Sequence, residues 1–172
     1  APEGTVDPYV RLISFWNGDR PLASLTYYAT HPQSYYGKGG VSADFVGMAR
    51  TLQERELPGV AHIHFNGAAG NVTAGKYNDG APELRPVLAG RLAAGMQAAW
   101  RAVKKVPLRA SDIDWRVVPV ALPLSPRLKD EGPIRKILDD PKTPLRSRIG
   151  AARDLAWIER AAGRQIELAC LR

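Results

Sequence analysis

Two short stretches hold residue types that can do chemistry. In the first, "ATHPQSYYGKGGVSADF" (29–45), a histidine precedes a proline at the end of a β-rich run, just ahead of tyrosines, glycines and an aspartate. Pro32 disfavours the helical region for the residue before it, so His31 is expected extended, with its imidazole aimed by a strand end. In the second, "FNGAAGNVTAGKYNDG" (65–80), the small residues Gly67, Ala68, Ala69 and Gly70 let backbone N–H groups approach an anion or an oxyanion. Thr73 adds a hydroxyl that can serve as a nucleophile. The same turn joins strand to helix for steric reasons alone in many α/β proteins, and it matches neither the dinucleotide fingerprint nor the phosphate loop. Asn71-Val72-Thr73 fits a glycosylation sequon, against which the adjacent glycines argue for a tightly packed turn.

The other histidines, His62 and His64, alternate with Ile63 and share one face of a strand. They can meet a metal together or be satisfied strand residues. The second reading is preferred, because no further cluster supplies the remaining ligands of a tetrahedral zinc site.

The elements that must position these residues follow from periodicity. "YVRLISFWNGDRPLASLTYYAT" holds two β-rich runs around Asn17-Gly18-Asp19, a hairpin signal, and its second strand delivers the chain to His31. "SADFVGMARTLQERE" spaces Phe45, Met48, Ala49 and Leu52 along one helical face, with Ser42 or Asp44 near its start and Pro58-Gly59 after it. "VAHIHF" is a short strand. "APELRPVLAGRLAAGMQAAWRAVKK" is a long helix with Leu84, Leu88, Leu92, Met96 and Trp100 at four-residue steps. Beyond it come a strand in "DIDWRVVPVAL", bulged or at an edge because of Pro119, helices near 133–140 and 144–162, and a closing strand in "QIELACLR". The expected fold class is α/β: a layered mixed β-sheet with helices packed outside.

Length and composition bound the function. The 172 residues suit one domain, and 45% hydrophobic and 24% charged residues describe a globular chain without low-complexity tracts. The net charge of +7 is uneven: residues 1–100 carry eight basic and eight acidic side chains, residues 101–172 sixteen and nine. That excess can favour an anionic membrane surface. Acids interleaved through 127–164 and few aromatics make nucleic acid an unlikely partner. A single cysteine, Cys170, cannot form an internal disulfide and is expected to be a small buried side chain. No apolar run is long enough to span a bilayer, and the start carries no basic-then-apolar leader. With no initiator Met and an end inside a strand-like run, the chain reads as an internal piece of a longer protein.

Taken in order, "DPYVRLISFWNGDRPLASLTYYATHPQS", "GGVSADFVGMAR" and "FNGAAGNVTAG" resemble the catalytic N-terminal domain of the neutral/alkaline (non-lysosomal) ceramidase family, over roughly residues 5–100. In that family the histidine of the A-x-H-P-x-S segment is a zinc ligand, which implies that role for His31. The family's G-D-V-S-P-N loop carries the proposed serine nucleophile. Here Gly70, Asn71, Val72, Thr73, Ala74 and Gly75 align with it, so Thr73 takes the serine's place and Asn71 the aspartate's, while the proline and asparagine are lost. The resemblance implies a partial catalytic domain over 1–172 of a zinc-dependent amidohydrolase that cleaves an N-acyl amide, such as N-acylsphingosine, to fatty acid and amine. Gly70, Asn71 and Thr73 are then the catalytic residues. Tyr35, Tyr36, Lys38 and Asp44 flank the His31 loop, where they either line the substrate cleft or belong to a packed, solvent-facing loop. The family's other zinc ligands lie on motifs that this chain lacks, so the piece alone is expected to be inactive. Family members are often exported. A non-catalytic homologue that binds a lipid or an anionic surface is the alternative.

Overall fold

A computed structural model describes residues 4–38 and 40–172. The chain is α/β, with helices and strands gathered into two compact units, Ala1–Lys105 and Val106–Arg172. The sequence reading expects one domain. The difference arises because each unit buries its own apolar cluster, Phe45 to Met96 in the first and Leu128 to Ile158 in the second.

In the first unit, β1 (Arg11–Asn17) and β2 (Arg20–Tyr28) form the expected antiparallel hairpin, with Gly18 at φ +57° in its turn. Helix α1 (Asp44–Glu56) then crosses to β3 (Ala61–Asn66), which runs parallel to β2, so the three-stranded sheet is mixed in the order β1-β2-β3. Helix α2 (Leu84–Arg101) packs along α1 and reaches β1, where Trp100 stacks on Trp16 at 5.2 Å between ring centres.

The buried face of α1 is turned from the expected one. Phe45, Val46, Ala49 and Gln53 are buried, while Met48 and Leu52 are exposed. Met48 and Leu52 lie beyond the strip that α2 and the sheet cover. On α2 the buried residues are Leu88, Ala89, Leu92, Ala93 and Met96, which keeps the centre of the predicted stripe. Helices α1 and α2 pack on one face of the sheet. Ser24, Thr26 and His62 are buried on that side, and Ile13, Ile63 and Phe65 are exposed on the other.

In the second unit, β4 (Trp115–Val120) pairs antiparallel with β5 (Ile166–Leu171), and α3 (Gly132–Asp139) packs on α4 (Leu145–Ala161). Cys170 is exposed, contrary to expectation, because among the described residues β5 pairs with β4 alone and every residue of the strand stays open to solvent. Among the described residues, no helix is long and apolar enough to cross a membrane.

Candidate functional site

The two stretches read as chemical from the sequence meet in space. Strand β2 ends at Tyr28, whose carbonyl accepts hydrogen bonds from the N–H of Thr30 (3.0 Å) and from that of Gly67 beyond β3 (2.9 Å). At Gly67 the two strand exits nearly touch, since a Cβ there would lie 3.1 Å from the Ala29 backbone nitrogen. A side chain here would press on Ala29, and glycine lets the two exits approach without that crowding. Three residues after Tyr28, the backbone N–H of His31 donates to the Val72 carbonyl at 3.1 Å.

The His31 side chain binds the same oxygen: Nδ1 lies 2.8 Å from it. A carbonyl can only accept, so Nδ1 carries the proton and Nε2 keeps its lone pair on an exposed ring. This is the arrangement that fixes a metal-ligating imidazole, in which the nitrogen not facing the metal donates to a carbonyl or carboxylate.

Thr73 follows Val72 directly and is exposed. Its hydroxyl has no hydrogen-bond partner among the described residues, so no general base stands against it in this arrangement. Of the N–H groups at Gly70, Asn71 and Val72, that of Val72 donates to the Ala69 carbonyl at 3.1 Å. Those of Gly70 and Asn71 make no hydrogen bond to a described residue.

Asn71 and Thr73 stand on the wall of a cleft of about 800 Å³, which runs over Val10, Tyr28, Phe45, Leu88 and Leu92. Its volume is that of a small-ligand pocket, for which about 300–1,000 Å³ is usual.

Tyr35, Tyr36 and Asp44 form a second group, and none of them lines that cleft. They border a shallower depression with Lys38 and Arg85. Asp44, at φ +51°, accepts the N–H of Ser34 at 2.9 Å with one oxygen and that of Phe45 at 2.6 Å with the other. Arg85 stands 3.7 Å from the same carboxylate, donates to the Ser34 hydroxyl at 2.9 Å and stacks 3.3 Å above the Tyr35 ring. Burial works against the Asp44 charge, yet the bonds from Ser34 and Phe45 and the nearby Arg85 outweigh it and hold the carboxyl below its ordinary range. Tyr36, at φ +47°, donates to the Asn78 carbonyl at 3.2 Å, and the Asn78 side chain donates to the Ser34 carbonyl at 2.8 Å. The group fastens the loop after His31 to the starts of both helices.

Sequence reasoning missed Arg85 and Asn78. A signal for Arg85 was present, because a cation in the first turn of a helix opposes the helix dipole and calls for a specific anionic partner. Asn78 gave only the turn signal of Asn-Asp-Gly.

His64 places Nδ1 2.8 Å from the Thr26 hydroxyl, whereas His62 is buried with no hydrogen bond to the described residues. The expectation of two satisfied strand histidines is met only in part: His64 uses Nδ1 but leaves its buried Nε2 without a hydrogen-bond partner, and His62 leaves both ring nitrogens so.

As a zinc ligand, His31 fits by tautomer and exposure. Among the described residues, no group of three or more His, Cys, Asp or Glu side chains gathers where it could hold a metal ion. No family model, curated protein or solved structure matches the chain.

Proposed function

We propose that the chain is part of a zinc-dependent amidohydrolase resembling neutral ceramidase, which cleaves an N-acyl amide into a fatty acid and an amine. The observation that carries this reading is the Val72 carbonyl. It takes both His31 hydrogen bonds and so ties the imidazole to the residue that precedes Thr73, and Val72 and Thr73 both line a largely apolar cleft.

In this reading His31 Nε2 is one metal ligand, and further donors beyond His31 complete the site. Bound zinc supplies polarisation of the amide carbonyl and a lowered pKa for water. The apolar cleft receives the acyl chain. Thr73 attacks the carbonyl carbon or orients the attacking water, with its methyl group limiting the approach. The N–H groups of Gly70 and Asn71 donate to the oxygen as it gains charge.

The test is a pair of substitutions in the full-length protein that contains this chain. His31→Ala removes both zinc and turnover, and Thr73→Ala lowers kcat by about tenfold or more. Unchanged turnover in Thr73→Ala eliminates Thr73 as the nucleophile, and unchanged zinc content in His31→Ala eliminates the ligand assignment.

A second reading, a homologue that binds lipid or an anionic surface without catalysis, is favoured by one observation: the Thr73 hydroxyl makes no hydrogen bond to any described residue. It requires salt-sensitive binding to anionic vesicles and no hydrolysis of acyl amides.

A further inference from the structure

Helix α4 carries two patterns on different faces. Ala151 and Ile158 are buried in one cluster with Leu128 and Ile134, and Leu155 and Trp157 pack against it, which fixes the inward face. On another face Leu145, Ile149, Ala152 and Ala156 follow at steps of four, three and four. All of them are exposed, Leu145 at 71% and Ile149 at 45%. Those steps are the d, a, d, a spacing of a heptad seam. Arg146, Arg153 and Arg160 then occupy the three e positions, exposed and about 10 Å apart along the helix axis. Glu159, at the next d position, ends the apolar run.

Charge and shape together select what such a seam takes. The helical neighbours of the three arginines at three and four positions in either direction include no acid, and none of the three makes an ion pair with a described residue. Residues at e and g decide the partner of a heptad seam through their charges. A second copy is the wrong one. Antiparallel copies set e against e, arginine against arginine, and parallel copies set e against g, which here is Arg148 or Leu155. A membrane surface calls for Trp, Phe or Leu on the apolar face. Half of this seam is alanine, which lets a second helix approach closely.

We propose that this face of α4 docks an acidic amphipathic helix, whose apolar stripe lies on Leu145, Ile149, Ala152 and Ala156 and whose carboxylates meet Arg146, Arg153 and Arg160. The inference stands apart from the hydrolase reading, since the face lies in the second unit and uses none of that site's residues.

The experiment follows fluorescence anisotropy as the purified chain is titrated into two labelled helical peptides, each about three heptads long with leucine at a and d. One carries glutamate at every e and g position and the other lysine. The glutamate peptide is expected to bind about tenfold tighter at low salt, with the gap narrowing as salt rises. Arg146, Arg153 and Arg160 replaced together by Glu are expected to reverse the preference toward the lysine peptide, an outcome that an unfolded variant cannot produce. Ile149→Asp is expected to weaken the glutamate peptide about fivefold or more. Equal binding of the two peptides, no binding of the glutamate peptide, or a preference that survives the charge reversal overturns the proposal. It is also overturned if the chain binds phosphatidylserine-containing vesicles, or dimerises, through the same arginines in preference to the glutamate peptide.

Discussion

At the residue scale, one carbonyl does most to order the site. Val72 accepts from both the backbone and the ring of His31, which couples residues 41 positions apart and decides the imidazole tautomer. The sequence singled out His31 and Thr73 as candidates through a proline and a glycine-rich turn. It could not reveal that Tyr35 and Asp44 would spend their contacts on Arg85 and Ser34, because that depends on where the start of α2 falls. Asp44 and Arg85 keep only 11% and 18% of their side-chain surface, so removing one leaves the other desolvated. Arg85→Met is expected to lower unfolding free energy by about 1–3 kcal/mol in urea denaturation. A change below about 0.5 kcal/mol, the range of an ordinary surface substitution, would show that the cluster does not hold the loop. A further expectation concerns the nucleophile. Thr73→Ser, which removes the crowding methyl and keeps the hydroxyl, should hold or raise kcat in the full-length protein, and a loss as large as that of Thr73→Ala would count against attack by this oxygen.

At the element scale, the interface between the sheet and α1 is polar where a core is usually apolar. Ser24 pairs with His62 and Thr26 with His64 across β2 and β3, and the buried Gln53 belongs to α1. Burial lowers the pKa of both histidines, with Arg50 adding to the effect at His64, while the Leu57 carbonyl and Glu54 oppose it at His62 without reversing it. The sign follows. Below the ordinary imidazole value of about 6.5 the unfolded chain takes up protons that the folded chain refuses, so stability is full above that pH and falls as pH drops through it. Unfolding midpoints in urea at pH 7.5 and 5.5 should therefore differ, with the lower at pH 5.5, and His62→Leu should reduce the difference. Equal midpoints would mean that the imidazoles charge in place without cost. Helix periodicity predicted α2 closely because its apolar steps face one partner surface. It misplaced the buried face of α1, where a glutamine sits inward and Met48 outward, since period alone cannot say which flank of a stripe is covered.

At the scale of the whole molecule, the element order and the α/β class were legible, because strands and helices alternate with clear turn residues between them. The division into two units was not, since no flexible linker marks residue 105 and the basic excess that begins near residue 101 reports charge and not a domain boundary. Each unit closes on its own apolar cluster, so the irregular segment between α2 and β4 should be the first point of attack by a protease. Trypsin is expected to cut at the exposed Lys104 or Arg109 before any site inside a helix or strand. Early cleavage within α1 or α2 would contradict this division. The exposed β5 escaped the sequence because alternation of apolar residues reports a strand and not what covers it.

The central claim is that His31 is a metal ligand preset by Val72, and nitrogen NMR of the labelled chain tests it most directly. The imidazole signals of His31, His62 and His64 would be followed as millimolar zinc is added. The account predicts that His31 is protonated at Nδ1 before zinc and that its Nε2 signal moves on addition, ahead of the other two histidines. A His31 protonated at Nε2, or a zinc response at His62 and His64 with His31 unmoved, would contradict it.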